Sequence, residues 1–493
     1  MAEQQPGDVR GDSPPGVSEV VGPILFFRGW RGESMDLVAV MAAPSREPAP
    51  DVAVTGGGGV APQQLTAAVG YTVWAYAFSL PSSGGSYTAA GRSYPVAGLI
   101  GDDFRLAYVA CNGLEHGDRE RPLVERNALW QRLARDHADN PFGLLIQGGD
   151  QLYADEMLQV NEATRRWEKG EPPGPVDTEA LAADLRAFLV TRYLELYSQP
   201  EPAWLMARVP SLCMWDDHDI CDGWGSLYET QLDSPVGRTV FAVAREAFLV
   251  FQHGVRPDEV PAICGDASGE SLTWCAELPG LTLIAPDLRS ERRPDRVMGE
   301  AGWSAFEAAL ANARGERILV LSSVPALGPR MSWIEAAMGV LPGIQTYEDD
   351  LRDQWQSRAH REEWRRFLRV LVDRHEAGTP VTLLSGEIHL ATRGTMATSA
   401  GPLHQLVASG ITHPAPPRAY ARVLGWLAWV GDSPLVGHPI RLKPLPGQRR
   451  IYAAQRNYLV LAREADRWRA WWELEGDGAT PPLCLGGDAE TAS

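Results

Sequence analysis

The spacing of apolar residues changes near residue 100 and divides the chain into two regions. Between Val20 and about Leu99, short apolar runs alternate with turn-rich stretches such as Gly56–Gly59. Regularly spaced short strands separated by glycine, proline and serine are typical of an all-β sandwich. We therefore predict a small N-terminal β-sandwich domain over residues 19–100.

After Gly101, apolar runs of strand length alternate with longer segments of helical length. This alternation indicates an α/β domain, which we assign to residues 101–475. The predicted strands are Phe104–Val109, Leu144–Gln147, Ser211–Trp215, Leu281–Ala285, Ile318–Ser322, Val381–Ser385 and Leu403–Ser409. The predicted helices are Glu125–Asp139, Thr178–Ser198, Val236–Gln252, Trp303–Ala313 and Tyr347–His375.

The two ends of the chain lack the apolar content of a packed core. Residues 1–18 are polar and rich in proline, glycine and aspartate, which predicts a disordered N-terminus. Residues 476–493 are predicted to be a flexible tail. The N-terminus has no apolar signal-peptide core and no apolar run is long enough to span a bilayer, so we expect a cytoplasmic protein.

Charge and cysteine content narrow the class of protein. The net charge of −18 over 493 residues argues against a broad nucleic-acid or anionic-membrane surface, because such polyanions would be repelled. It does not exclude a small phosphate-ester substrate, since bound cations would dominate the local field. The 6 cysteines are too few for a disulfide framework; a Cys264–Cys275 pair is conceivable, but free thiols are the simpler interpretation.

The segment Leu144–Asp155 organises the candidate chemistry. A short apolar strand runs into Gly148 and Gly149, which let the backbone turn and release Asp150 at the strand's C-terminal end. Open α/β sheets build their sites at that edge. Tyr153 follows three residues later, so both side chains can converge on one centre. Taken alone, Asp150 fits equally well as a cap of the next segment.

The same pattern recurs after other predicted strands. Five strands are each followed by polar side chains that can act as ligands or catalysts: Cys111; Asp150 and Tyr153; Asp216, Asp217, His218 and Asp219; Asp287 and Arg289; Glu387 and His389. One such coincidence carries little weight, but five favour a shared site at one edge.

These donor types suit a metal centre. Carboxylate, imidazole, phenolate and thiolate together fit a hard-to-borderline metal, and the softer donors favour iron. Asp150 is our candidate bridge between two metals. A pair of metals stabilises the attacking and leaving oxygens of an in-line displacement at phosphorus. A cysteine placed as Cys111 is more often a buried small hydrophobe than a ligand, and His389 also fits as a satisfied strand residue. The segment Asp216–Asp219 is harder to explain without a cation, because three adjacent carboxylates repel one another.

The chain resembles the alkaline phosphatase D (PhoD-like) family of metallophosphoesterases. The matching motifs are Val109–Cys111, Gly149–Asp155, Asp216–Asp219 and Ser385–His389, and they cover about residues 101–465. The resemblance implies a four-layer α/β/β/α catalytic domain preceded by the N-terminal β-sandwich. It also implies iron(III), bound through cysteine and tyrosine, beside calcium.

The resemblance further assigns roles by position. It implies that Cys111, Asp150, Tyr153 and His389 surround the iron, and that Asp150 bridges to a second metal held by Asp217 and Glu387. His218 would stabilise the phosphoryl group or protonate the leaving group, with Asp219 orienting it. Arg289 would contact the phosphate bidentately.

Two departures from the family pattern leave alternatives open. Glu387 stands where the family usually has aspartate, which puts calcium in doubt and leaves Mn²⁺ or Zn²⁺ as second-metal candidates. Family members typically carry an export signal, which we do not find. Our leading hypothesis is a phosphatase or phosphodiesterase that uses a metal-bound hydroxide. A catalytically silent metal-binding scaffold is the first alternative and an iron-dependent redox enzyme the second.

Overall fold

A computed structural model gives the arrangement of most of the chain. It describes residues 19–101, 103–113, 120–172, 174–328, 354–428, 431–464 and 467–486. The predicted disordered N-terminus, the last residues of the predicted tail and the start of the predicted helix Tyr347–His375 lie outside these ranges.

The strands and helices take the following bounds. The strands are β1 Val21–Arg31, β2 Ser34–Pro44, β3 Val52–Val54, β4 Gln63–Ala68, β5 Tyr71–Pro81, β6 Gly84–Ala89, β7 Arg92–Ala97, β8 Asp103–Val109, β9 Leu144–Gly148, β10 Ser211–Met214, β11 Trp274–Leu278, β12 Leu281–Ala285, β13 Arg317–Leu321, β14 Val381–Ser385, β15 Thr392–Met396, β16 Leu403–Val407, β17 Asp432–Leu435, β18 His438–Lys443, β19 Asn457–Glu464, β20 Arg467–Leu474, β21 Gly478–Ala479 and β22 Leu483–Cys484. The helices are α1 Leu123–Arg126, α2 Ala128–Asp139, α3 Glu162–Glu168, α4 Thr178–Tyr197, α5 Pro200–Met206, α6 Glu229–Leu232, α7 Pro235–His253, α8 Glu300–Asn312, α9 Arg361–Glu376 and α10 Arg418–Ala428.

Two large sheets dominate the described residues. The first has 11 strands in the order β21-β20-β19-β8-β9-β10-β1-β2-β5-β4, with β22 also paired to β20. The second has 8 strands in the order β11-β12-β13-β14-β16-β15-β18-β17, and a third sheet of 3 strands has the order β3-β6-β7. The central strands β8, β9 and β10 are parallel neighbours, and so are β12, β13, β14 and β16. Their carboxyl ends therefore meet along one edge of each sheet.

The strands alternate their side chains between two apolar clusters. Ile146 of β9 and Leu384 of β14 share a cluster that joins the two large sheets. Leu383 faces the other way and packs with Phe306 and Phe367 of α8 and α9. On the outer side of the first sheet, α4 and α7 pack in a separate cluster with β1, β8 and β10. Because successive strand residues point to opposite faces, each sheet buries both surfaces.

Helix α7 has the end signals expected from its sequence. Ser234 accepts a hydrogen bond from the backbone N–H of Gly237, and Pro235 occupies the first turn. At the other end Gly254 adopts a left-handed conformation, with φ of 57°. The helix therefore ends at His253, directly after Gln252.

Most of the N-terminal strands are continuous with the first large sheet. We predicted a small β-sandwich domain over residues 19–100; β3, β6 and β7 form a sheet of their own, and Phe26 of β1 pairs in parallel with Ser211 of β10. Strands β1, β2, β5 and β4 thereby continue the first large sheet. The physical reason is that β1 is apolar on both faces, with Phe26 and Phe27 in different clusters. A strand of that kind must be covered on both faces, and it is where β1 continues the first large sheet.

The predicted flexible tail also needs correction as far as residue 486. Strand β21 pairs with β20 beside Leu474, and β22 pairs with β20 beside Ala470. Leu483 and Leu485 are buried in the cluster between the two large sheets. Among the described residues, no helix has both the length and the hydropathy that crossing a membrane requires.

Candidate metal centre

The loops after β8 and β9 are pinned together at the start of the site. The backbone N–H of Cys111 donates to Gly149 O at 3.1 Å, and that of Asn112 donates to Asp150 O at 2.8 Å. These bonds bring Cys111 Sγ to 3.5 Å from Asp150 Oδ2. The thiol also lies 3.0 Å from Ser409 Oγ, which follows β16 in the other sheet. The two sheets thus meet at this thiol.

Strained backbone is concentrated at the predicted ligands. In the described part of the chain, positive φ occurs at four of them: Cys111 (55°), Asp150 (56°), Glu387 (59°) and His389 (53°). The other non-glycine cases, Val69 and Ala90, lie in turns between strands. A left-handed residue with a side chain costs about 1–2 kcal/mol. Such a cost at four facing loop residues marks a functional site rather than a packing requirement.

Two glycines allow the close approach of these loops. Gly149 has φ of 108°, and a Cβ there would lie 2.8 Å from Asp216 Cβ. A Cβ on Gly386 would lie 2.5 Å from Ala110 Cβ on the opposite sheet. Any larger residue at either position would therefore push the strand ends apart.

Three buried carboxylates gather at Asp150. Oxygen atoms of Asp150, Asp216 and Asp217 lie within 4.8 Å of one another. Burial raises the pKa of Asp150 well above its usual value, and the negative charges of Asp216 and Asp217 raise it further. Oδ1 of Asp150 is buried and has no hydrogen-bond partner among the described residues. A buried carboxylate oxygen without a donor is costly unless a cation binds it.

The softer donors lie on the other side of Asp150. Ligand atoms of Cys111, Asp150 and His389 form a second group within 4.8 Å. The Tyr153 hydroxyl is 3.1 Å from Nε2 of His389. Burial lowers the pKa of His389 well below its usual value, and the nearby His413 and His218 lower it further. The neutral ring is the form that binds metals.

This donor set fits a pair of metal ions. Asp150 belongs to both groups, one with thiol, phenol and imidazole and one with carboxylates only. The first group suits iron and the second suits a harder cation. Asp150 Oδ1, which lacks a donor, is the atom that a cation would satisfy.

His218 is oriented by Asp155, not by Asp219 as we predicted. Nδ1 of His218 lies 2.9 Å from Oδ2 of Asp155. Burial alone would lower the pKa of His218, but the charges of Asp155 and then Asp217 raise it well above its usual value. The neighbouring carboxylates thus favour the protonated ring. Its plane stacks on Tyr153 with a centroid distance of 4.2 Å.

Asp219 instead holds the backbone of the two ligand loops. Its Oδ2 accepts from the N–H groups of Asp150 at 2.9 Å and Asp216 at 3.0 Å. Its Oδ1 accepts from Gln252 Nε2 at 2.8 Å. The segment Asp217–Asp219 turns as a 3-10 helix, and this turn aims the Asp219 carboxylate at the backbone N–H of Asp216, which begins it.

Arg289 faces two carboxylates. We predicted a bidentate phosphate contact for this residue, which is 0% exposed. It donates from Nε to Oδ1 of Asp216 and from Nη2 to Oδ1 of Asp217, the latter at 3.2 Å. Three clustered carboxylates need a counter-charge, and Arg289 supplies part of it. Its role is to hold Asp216 and Asp217 in place.

Glu387 lies at the rim of the site. Nε2 of Gln354 donates to both of its carboxylate oxygens at 3.0 Å. Neither metal-compatible group around Asp150 includes it. Its assignment as a second-metal ligand stays a prediction.

Sequence reasoning missed three residues of the site. Asp216 was noted beside Asp217 but not selected, although its oxygens belong to the carboxylate group. Asp155, the last residue of the segment Leu144–Asp155, was interpreted as a carboxylate that supports the ligands or caps the next segment, and its contact with His218 was not predicted. His413 was overlooked: its ring centroid is 3.7 Å from that of His389, and it stacks on Tyr153 at 5.5 Å. The available signal was its position after the predicted strand Leu403–Ser409, the same placement that identified the others.

Comparison with known proteins decides the family. Residues 70–346, more than half of the chain, match the family described as PhoD-related phosphatase. The chain belongs to this family. The resemblance inferred from the motifs is thereby confirmed.

Individual relatives are more distant. The uncharacterized protein YGR266W of Saccharomyces cerevisiae is 24% identical over 334 residues, which cover 55% of this chain and 47% of that protein. The chain thus spans about half the length of that curated relative. The structure of PhoD has a TM-score of 0.59 at 13% identity and covers 96% of this chain and 90% of its own. Purple acid phosphatase PPD1 from yellow lupin (Lupinus luteus) seeds has a TM-score of 0.55 at 11% identity and covers 94% and 73%. Both share the mixed α/β fold with several sheets.

Proposed function

We propose that this PhoD-related chain is a metal-dependent phosphoric-ester hydrolase whose two metal ions share Asp150. The observation that carries the proposal is the position of Asp150 in two donor groups, with its buried Oδ1 lacking any partner in the described residues. Family membership supports the same reaction class. The substrate is a small phosphate ester, either a monoester or a diester.

The two donor groups would hold different metals. Cys111, Tyr153 and His389 would join Asp150 around iron(III), while Asp217, with Asp216 or Glu387, would hold a divalent ion such as Ca²⁺, Mn²⁺ or Zn²⁺. When bound, such a pair supplies an activated water and positive charge at the phosphoryl oxygens. Arg289 and Asp219 fix the carboxylates and loops that receive the ions.

His218 would act on the leaving group. Asp155 occupies its Nδ1, which leaves Nε2–H as the available donor. A protonated imidazole beside a phosphate ester can stabilise the developing charge or give its proton to the departing oxygen.

We also propose the four-layer α/β/β/α arrangement for the two large sheets and their outer helices.

The decisive variant is Asp150→Asn, which keeps the shape of the side chain but removes its charge. We expect hydrolysis of an aryl phosphate monoester and diester to fall at least about 1000-fold, because both ions lose a shared ligand. Asp184→Asn, an exposed aspartate on α4, is the matched control and should keep full activity. Full activity of Asp150→Asn would refute the proposal.

A further inference from the structure

Helix α10 packs one face on the core and leaves the opposite face exposed. Ala421 and Ala428 are buried in a small apolar cluster with Leu390. Ile388 packs against the same cluster. Because Ile388 and Leu390 are the two neighbours of His389, the helix is anchored to the loop that carries this candidate ligand.

The exposed face of α10 carries an apolar stripe. Trp426 is 82% exposed and Val423 is 54% exposed, and Ala419 is also exposed. Their spacing of four and three residues places them in one row along the helix. Single apolar side chains are common on protein surfaces, whereas a contiguous row with a tryptophan is typical of an interaction surface. Side chains this exposed project into solvent and do not line a groove.

Positive charge borders the apolar stripe. Arg418 and Arg422 are both exposed and lie four residues apart, so they form an adjoining row on the helix. The sequence of α10 contains no acidic residue that could pair with them along the helix. We call Ala419, Val423, Trp426 and the two arginines the Trp426 face.

The Trp426 face lies in a basic segment of an acidic chain. The net charge of −18 predicts that the chain as a whole is repelled by anionic surfaces. Residues 411–451, however, contain six lysines and arginines and a single aspartate. At physiological ionic strength, exposed charges more than about 8 Å apart are largely screened. A surface that approaches α10 therefore responds to this segment more than to the rest of the chain.

We propose that the Trp426 face binds the surface of a lipid bilayer that contains anionic lipids. Trp426 and Val423 enter the boundary between headgroups and acyl chains, where the indole buries its ring and keeps its N–H near water. Arg418 and Arg422 reach the headgroup phosphates beside the stripe. An acidic peptide fits this face less well, because a projecting row of side chains gives it no groove to occupy.

Co-sedimentation of the full chain with lipid vesicles tests the proposal. Mixed vesicles of phosphatidylcholine and phosphatidylglycerol are compared with vesicles of phosphatidylcholine alone. We expect at least about tenfold tighter binding to the mixed vesicles, and we expect it to weaken as the salt concentration rises. No binding to the mixed vesicles, or equal binding to both kinds, would overturn the proposal. The measurement uses no phosphate-ester substrate, so its failure would leave the proposed hydrolase activity untouched.

Replacement of the tryptophan tests the apolar part of the face. Trp426→Ser should weaken binding to the mixed vesicles about tenfold or more, because it removes the largest side chain that enters the bilayer. Tyr228→Ser is the matched control: Tyr228 is an aromatic residue outside α10, is 77% exposed and should not contribute to vesicle binding.

Replacement of the two arginines tests the basic part of the face. Arg418→Gln combined with Arg422→Gln should weaken binding about tenfold or more, because each cation near an anionic bilayer contributes about fivefold. Arg92→Gln combined with Arg238→Gln removes two exposed arginines outside α10 and should bind as the parent does.

Two outcomes would assign the Trp426 face to a different partner. If the double arginine variant loses vesicle binding while Trp426→Ser retains it, the face would be a general polyanion site. If sedimentation velocity shows a dimer of the unaltered chain that Trp426→Ser dissociates, the face would be a contact between two copies. Either result would overturn the assignment to a bilayer.

Discussion

Residues of the metal centre divide into those that offer donor atoms and those that hold the donors in place. Asp150 belongs to the first kind, with an oxygen that finds no partner in the described residues. Asp219 and Arg289 belong to the second, because their hydrogen bonds go to the ligand loops and ligand carboxylates. Substitution of a donor residue should therefore lower the metal content together with the activity. Substitution of a residue that holds the donors should lower the activity more than the metal content.

Asp155→Asn tests the positioning of His218. The change removes the negative charge that keeps the imidazole protonated and oriented at 2.9 Å. We expect kcat for an aryl phosphate to fall by about 100-fold, the order of a general-acid contribution. Metal content, measured by elemental analysis, should be unchanged, because Asp155 belongs to neither group around Asp150. A kcat within twofold of the parent would show that His218 acts without this partner.

At the scale of elements, the sequence predicted the strands that carry the site but not how they contact one another. Leu281–Ala285 and Val381–Ser385 have the predicted bounds, because each is a short apolar run flanked by turn residues. The pairs Asp155–His218 and Arg289–Asp216 join residues far apart in sequence, and no local pattern encodes them. His218 was therefore assigned to Asp219, the nearest carboxylate in sequence, whereas its partner in the structure is Asp155.

A substitution next to the short strand β22 tests whether the C-terminal segment belongs to the core. Leu485 follows β22, is 2% exposed and packs between the sheets. Leu485→Ala should lower the free energy of unfolding by about 2–5 kcal/mol, the usual cost of an emptied leucine site. Cys484→Ala is the control: this neighbouring residue is exposed, so we expect a change of less than about 0.5 kcal/mol. Equal stability of the two variants in urea denaturation would restore the flexible-tail interpretation.

At the scale of the whole molecule, the N-terminal region is built into the first large sheet. Strand β1 lies between β10 and β2, so its removal would expose an edge of the strand that leads to Asp216. The sequence pattern predicted the strands of this region, but we took their regular spacing to indicate a domain distinct from the α/β domain. Strands β1 and β10 are far apart in sequence, so no local sequence pattern predicts that they pair.

A fragment that begins at residue 101 should not fold into a metal-binding domain. Loss of β1 removes Phe26 and Phe27 from two apolar clusters and leaves β10 unpaired on one side. We expect the fragment to lack near-ultraviolet circular dichroism and to be digested rapidly by trypsin. A fragment with a cooperative unfolding transition and retained metal would instead support an independent catalytic domain.

Metal stoichiometry tests the central claim most directly. Elemental analysis of the full chain, Asp150→Asn and Tyr153→Phe should give about two, about zero and about one metal ion per chain, because only Asp150 is shared by both donor groups. The phenylalanine ring preserves the stacking on His218 and removes only the hydroxyl near His389. Retention of both metals by Asp150→Asn, or a single metal in the unaltered chain, would contradict the shared-aspartate centre.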